Sequence, residues 1–222
     1  LNPRSYLVLT KDTIGVFPYF NIKYQDCFLQ LEKFPSFNND EDVVVLLNNE
    51  MEIIDEFSYT DKMHAPLLAD EEGISLERTS FEIETNNFTN WHSASTESGY
   101  GTPGYKNSQV LAENKTEPIV TFEPESFSPN SDGYNDEYQI HFQTPKPGFY
   151  VNIAIFDAAG RFVQHLAKNE ILGTNDIYTW NGEDETGHLQ NLGVYVVTVE
   201  IFDLYGNIYQ FKDGVVLTGI LN

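Results

Sequence analysis

Cysteine is nearly absent, with one residue, Cys27, in 222. A single thiol closes no internal disulfide and builds no structural zinc site. Cys27 is therefore expected as a small buried apolar side chain on a strand. Positive charge is scarce: 12 Lys and Arg stand against 34 Asp and Glu, a net charge of -22. Such a field repels phosphate and excludes nucleic acid as a partner. It disfavours an anionic membrane surface for the same reason. Long apolar runs are missing too. The longest, Val43 to Leu47, has the length of a strand, far short of the ~18 residues of a spanning helix. The chain opens Leu1-Asn2-Pro3, without Met and without a signal-peptide pattern, as expected of a processed chain or of one cut from a longer protein.

Catalytic signatures are lacking as well. No Gly-x-Ser-x-Gly elbow occurs. The segment Ser98 to Gly104 starts as Gly-x-Gly, but Pro103 follows and no periodic helix does, so it reads as turns, not as a phosphate cradle. His64, His92, His141, His165 and His188 form no metal-ligand spacing. The acidic triplets Asp70-Glu71-Glu72 and Glu183-Asp184-Glu185 read as solvated loops. Nothing in the sequence sets two carboxylates across a cleft as glycoside hydrolysis requires. Asn87-Phe88-Thr89 and Asn114-Lys115-Thr116 match the N-glycosylation pattern and are read as chance.

What is present is β-structure. Aromatics make up 14% of the chain and hydrophobic residues 41%, enough for a packed core. Tyr6 to Thr10, Cys27 to Leu31, Val43 to Leu47, Glu52 to Phe57 and Ile74 to Arg78 are short apolar or β-branched runs separated by polar turns. That punctuation argues for a sandwich or barrel. Lys11 to Phe20 suits a helical turn or two starting near Asp12, interrupted by Gly15 and Pro18. Residues 106–118 lapse into a polar, aperiodic linker. Strands then resume at Val151 to Phe156 and Val194 to Phe202. Asp203 to Gly206 turns the chain into a hairpin partner, Asn207 to Phe211. Residues 1–116 carry 8 basic and 19 acidic side chains and residues 117–222 carry 4 and 15, so each half nets -11 and neither is a charged tail.

In the first half, Tyr6-Leu7-Val8-Leu9-Thr10, the stretch Phe37 to Leu46, Gly73-Ile74-Ser75-Leu76-Glu77-Arg78, Asn90-Trp91 and Gly101 to Ser108 follow one another in the order of a lamin-tail domain, which this half resembles. Members of that family begin with a further strand pair, and nothing like it precedes Leu1. The resemblance therefore implies a sandwich entered partway, its missing edge strands cut off or supplied by another chain.

In the second half, Phe127-Ser128-Pro129-Asn130-Ser131-Asp132-Gly133-Tyr134-Asn135-Asp136 is close to "FSPNGDGxND", with Ser131 in place of glycine. Ile155 to Arg161 is close to "IYDxxGR". Trp180 to Gly187 with Leu192 to Tyr195 is close to "WDGxDxxG…PxGVY", with Asn181 in place of aspartate and Leu192 where proline or serine is common. This half resembles the C-terminal Ig-like module of secreted Bacteroidetes-type proteins and the Ig-like domain of the flagellar hook-cap protein. Gly160, Gly187 and Gly193 fall where tight turns need them. Trp91, Trp180 and Tyr195 are expected in cores.

The expected fold is all-β: two tandem Ig-like β-sandwich domains, the first (1–108) incomplete at its N-terminus, a linker at 109–118, and an Ig-like C-terminal module at 119–222. Asn130, Asp132, Asn135 and Asp136 form an oxygen-rich loop of the kind calcium takes. The same side chains suit an Asx-turn that bonds its own backbone. No other metal or cofactor is expected. The function expected is that of a non-enzymatic secreted or cell-surface protein acting as a structural, adhesion or sorting module, with a protein or glycan at the surface of a Gram-negative cell as partner. The alternatives are the accessory C-terminal region of a secreted hydrolase or nuclease, and a carbohydrate-binding module.

Overall fold

The computed structural model describes residues 5–111 and 116–219. The chain divides into two compact units, Leu1–Leu111 and Ala112–Asn222. Residues 112–115, within the expected linker, lie outside the described residues. Gln109, which opens that linker, is fully buried in the first unit, and the Leu111 N–H donates to Thr79 O at 3.0 Å.

The first unit is built from three two-stranded ladders. β1 (Val8–Thr10) and β2 (Phe28–Gln30) run parallel, while β3 (Glu41–Leu47) with β4 (Ile53–Thr60) and β5 (Leu76–Arg78) with β6 (Trp91–Ser93) run antiparallel. The expected helical segment is one α-turn, α1 (Thr13–Val16), followed by a 3₁₀ turn at Phe17–Tyr19. Asp12 caps α1 by accepting the Gly15 N–H at 3.0 Å. The only fully buried apolar side chain among the unit's described residues is Ala94. Among the described residues the three ladders do not close around a common apolar core.

Two expectations are corrected here. Cys27 is half-buried and ends a 3₁₀ turn at Gln25–Cys27, with its Sγ 2.9 Å from Tyr24 O. The chain passes so close at Gly104 that a Cβ there would lie 2.2 Å from this sulfur, so the thiol packs beneath a crossing backbone instead of on a strand. Trp91 is half-buried, not core. Its ring stacks on Phe57 at 3.7 Å and its Nε1–H donates to Thr85 O at 2.7 Å.

The second unit is a closed sandwich. One sheet has the order β11-β10-β13-β14-β8, and the other β12-β9-β7. The strands are β7 (Ile119–Glu123), β8 (Ser126–Phe127), β9 (Tyr138–Gln143), β10 (Phe149–Asp157), β11 (Phe162–Leu172), β12 (Asn175–Trp180), β13 (Gly193–Asp203) and β14 (Ile208–Leu217). All pairings are antiparallel except that of β14 with β8. A strand's side chains alternate between faces, and this period sets the core. Tyr195, Val197, Val199 and Ile201 of β13 and Val151, Ile153 and Ile155 of β10 point in. They meet Tyr138, Ile140 and Phe142 of β9 and Tyr178 and Trp180 of β12. The second domain thus has the expected all-β Ig-like architecture.

Candidate functional site

Three hairpin and loop ends of the second unit are built from one five-residue turn. In each, an Asp carboxylate oxygen accepts two backbone N–H groups, from the second and fourth residues after it. Asp157 accepts from Ala159 and Arg161, both at 2.9 Å. Asp184 accepts from Thr186 and His188 at 2.9 and 3.1 Å, and Asp203 from Tyr205 and Asn207 at 2.9 and 3.0 Å. The backbone closes each turn twice, from the Asp N–H to the fourth residue's carbonyl and from the third residue's N–H back to the Asp carbonyl. That third residue, Gly160, Gly187 or Gly206, has φ near +80°, which only glycine adopts freely. Aspartate supplies a second oxygen for a side chain: Arg161 Nε at 2.6 Å, Gln190 Nε2 at 2.9 Å and Asn207 Nδ2 at 2.8 Å. These donors favour the charged carboxylate. The Thr186 hydroxyl, at 2.6 Å, with the His188 and Thr186 amides, holds the Asp184 pKa down to about 2. The Arg161 amide and guanidinium lower that of Asp157.

Segments far apart in sequence meet at one end of this sandwich. Trp180, 1% exposed, lies at their centre. Its ring meets Phe127 at 5.3 Å and Tyr195 at 5.0 Å, and its Nε1–H donates to Glu183 O at 2.8 Å. The Tyr195 hydroxyl donates to Asn191 O at 2.6 Å. In the ladder Asp157 stands opposite Tyr195 and Gly193 opposite Leu217, which brings the 157–161 turn, the 181–192 loop and β8 to the same end. Gly182 is buried there, and a Cβ on it would press on Leu217 and Leu189 at 3.1 and 3.2 Å. Between Asp157 to Arg161 and Gln190 to Tyr195 lies a depression of about 260 Å³. Its rim carries Arg161, whose side chain is 82% exposed, and Leu192, 66% exposed; Leu189, 60% exposed, stands nearby on the same loop. Trp180 and Tyr195 are core residues, and the surface they support is a loop end of the kind on which sandwiches carry binding.

The loop expected to suit calcium is closed on itself. Asn130 Oδ1 accepts the Asp132 N–H, Asp132 Oδ1 accepts the Tyr134 N–H, and Asp132 Oδ2 accepts Asn130 Nδ2. Asp136 Oδ2 accepts the Gly133 N–H at 2.8 Å, and the Asn135 carbonyl accepts the Ser128 N–H. One oxygen, Asp136 Oδ1, is shielded from solvent and has no partner. Among the described residues no group of three or more His, Cys, Asp or Glu is placed to hold a metal ion.

The first unit holds a buried acid that sequence reasoning passed over. Glu77 is 3% exposed. Thr102 Oγ1 donates to its Oε1 at 2.5 Å, and Ser108 Oγ and the Gln109 N–H donate to its Oε2 at 2.7 and 3.2 Å. Burial raises its pKa, and these donors offset part of the rise. The carboxylate thereby ties the 101–109 segment to β5. The repeated turn was overlooked too, although its signal is visible in the sequence as Asp157-Ala-Ala-Gly160, Asp184-Glu-Thr-Gly187 and Asp203-Leu-Tyr-Gly206.

Residues 121–216 match the family model described as the CHU_C Type IX secretion signal domain. Among solved structures the chain is similar to dimeric latent PorU from Porphyromonas gingivalis, at 14% identity and a TM-score of 0.36, covering 50% of this chain and 10% of that one. It is similar also to PorZ from the same organism, at 21% identity and a TM-score of 0.29, covering 45% and 11%. FlgD from Pseudomonas aeruginosa matches at 15% identity and a TM-score of 0.32, covering 45% and 73%. The chain thus spans about a tenth of the PorU and PorZ chains. No curated protein matches it. Among the described residues no helix is long and apolar enough to cross a membrane. The family match falls wholly within the second unit. The match to a secretion signal domain lies in an Ig-like module and indicates a secreted or cell-surface protein.

Proposed function

We propose that the second unit is the sorting element that carries this protein through a type IX export route, and that its recognised surface is the sandwich end built around Trp180. The observation that carries this reading is the family match over residues 121–216, whose four sequence motifs converge on that end. The supported surface there offers a cation, Arg161, beside two exposed leucines, and these are groups that interfaces use. The first unit is then cargo: a lamin-tail-like, non-enzymatic module with a structural or adhesive part at the cell surface, where its partner is a protein or glycan.

The test is a fusion of residues 119–222 to a reporter bearing a periplasmic leader, expressed in a Bacteroidetes host with a working type IX system. The reporter should reach the cell surface or medium, and should stay in the periplasm of a host lacking the translocon. R161E and L192E, together, should hold the fusion back while the unit still unfolds cooperatively, its melting temperature lowered only by loss of the exposed Arg161–Asp157 pair. Periplasmic retention of the parent fusion, or export that does not need the translocon, would overturn the sorting role. Normal export of R161E/L192E would leave that role standing and reject this surface.

A further inference from the structure

β3 of the β3–β4 hairpin is apolar on both faces, and among the described residues its apolar side chains stay largely exposed. Val43, Val45 and Leu47 alternate with Val44 and Leu46 across the two faces of β3, and all five are 38–52% exposed. Ile53 and Ile54 on β4 are 63% and 60% exposed. A strand wetted on one side alternates apolar with polar, whereas an unbroken apolar run is the pattern of a strand buried on both sides. Single exposed apolar residues are ordinary, but a contiguous patch marks a contact surface.

The two edges of this hairpin differ. On the β4 side, Asn86 Oδ1 accepts the Ser58 N–H at 2.7 Å, Asn86 Nδ2 donates to Glu56 at 3.2 Å, and Phe57 stacks on Trp91. Among the described residues β3 pairs with β4 alone. The Val43 N–H is taken by its own neighbour, Asp42 Oδ1, at 2.8 Å. Residues two apart on a strand direct their N–H groups to the same edge, so those of Val45 and Leu47 point outward with it.

Charge indicates what fits. Residues 37–61 hold eight acidic side chains and no basic one. Asp40, Glu41 and Asp42 stand at one end of β3 and Glu50 and Glu52 beyond the other, with the apolar run between. A second copy of the chain would set the same charge against itself, and an anionic lipid surface would be repelled equally.

We propose that the β3 edge takes an extended segment of another protein as a third strand, apolar in its middle and rich in Lys or Arg at its ends. Main-chain hydrogen bonds to the open edge would hold it, as in other cases of strand addition. Its apolar side chains would flank those of β3 on both faces, and its basic ends would meet the two acidic clusters.

The probe is a labelled peptide of about ten residues, a central run of Val and Ile between paired lysines, a length that matches β3 with its flanks. Two controls replace Lys by Glu or insert a central Pro. Fluorescence anisotropy with the full chain should show saturable binding for the basic peptide only, weakened about tenfold or more at about 0.5 M salt, where screening is short-ranged. Hydrogen exchange at Val45 and Leu47 should slow on binding. E41K/E50K, on exposed side chains, takes residues 37–61 from a net charge of -8 to -4 and should weaken binding of the basic peptide. The proposal is overturned if no peptide binds, if the three bind alike, or if β3 is already protected in the free chain because it elutes as a dimer. Protection of β3 by neutral phosphatidylcholine vesicles without peptide binding would make lipid the occupant instead, and would equally reject it.

Discussion

Replacing Trp180 tests whether one buried ring organises the proposed recognition end. The indole is 1% exposed, packs against Phe127 and Tyr195, and spends its N–H on Glu183 O. W180F keeps a six-membered ring but gives up the hydrogen bond, about 1 kcal/mol, and roughly 1–2 kcal/mol of buried apolar surface. W180A opens a cavity and should cost about 3–5 kcal/mol. In a unit of this size each 1 kcal/mol lowers the melting temperature by roughly 4–8 °C. W180F should therefore melt clearly below the parent, and W180A lower still or not fold. The chain has two tryptophans, so in either variant Trp91 is the sole indole emitter and reports the first unit alone. Calorimetry should show the second unit's transition moving while the Trp91 emission transition stays in place. Exposed Leu192, by contrast, should tolerate polar substitution with no change in melting. A W180A transition within about 4 °C of the parent would refute the reasoning, because no fully buried indole should be that dispensable.

Glu77 predicts a pH dependence confined to the first unit. Its folded pKa is raised by burial, so the folded state binds the proton more tightly than the unfolded chain does; stability should rise as pH falls from neutral toward the unfolded value. E77Q should flatten that slope in Trp91-monitored melts, and a slope equal to the parent's would count against it. Asp184 has the opposite sign. With its pKa held down to about 2, its contribution is present above the ordinary value of 3.8 and is lost as pH falls through about 2. The Thr186 and His188 amide NMR shifts should therefore titrate near 2 in the parent and not at all in D184N. The 130–136 loop, in which Asn130, Asp132 and Asp136 each already accept a backbone N–H, predicts coincident melts in millimolar calcium and in EDTA. A shift of several degrees that D132A abolishes would make it a metal site through ligand linkage.

The second unit was legible in sequence because each informative residue answers a local need. Gly160 and Gly187, read as turn glycines, sit where φ is positive, whereas Gly193, read the same way, opens β13 instead. Val194 to Phe202 keeps a period of two through a strand flanked by others on both sides. The first unit resists such reading because its decisive contacts are remote. Glu77 is one letter among 34 acids until Thr102, Ser108 and Gln109, 25 to 32 residues onward, fold over it. Cys27 reads as a strand residue until the Gly104 backbone crosses it. The unbroken run Val43 to Leu47 carries the opposite lesson. Its sequence asks for burial on both faces, yet all five side chains stay 38–52% exposed. The conflict lies between local pattern and available partners, and natural sequences keep such conflicts where function needs them. The same logic separates the two units' surfaces: one rests on the packing around Trp180, while the other, among the described residues, is an open strand edge.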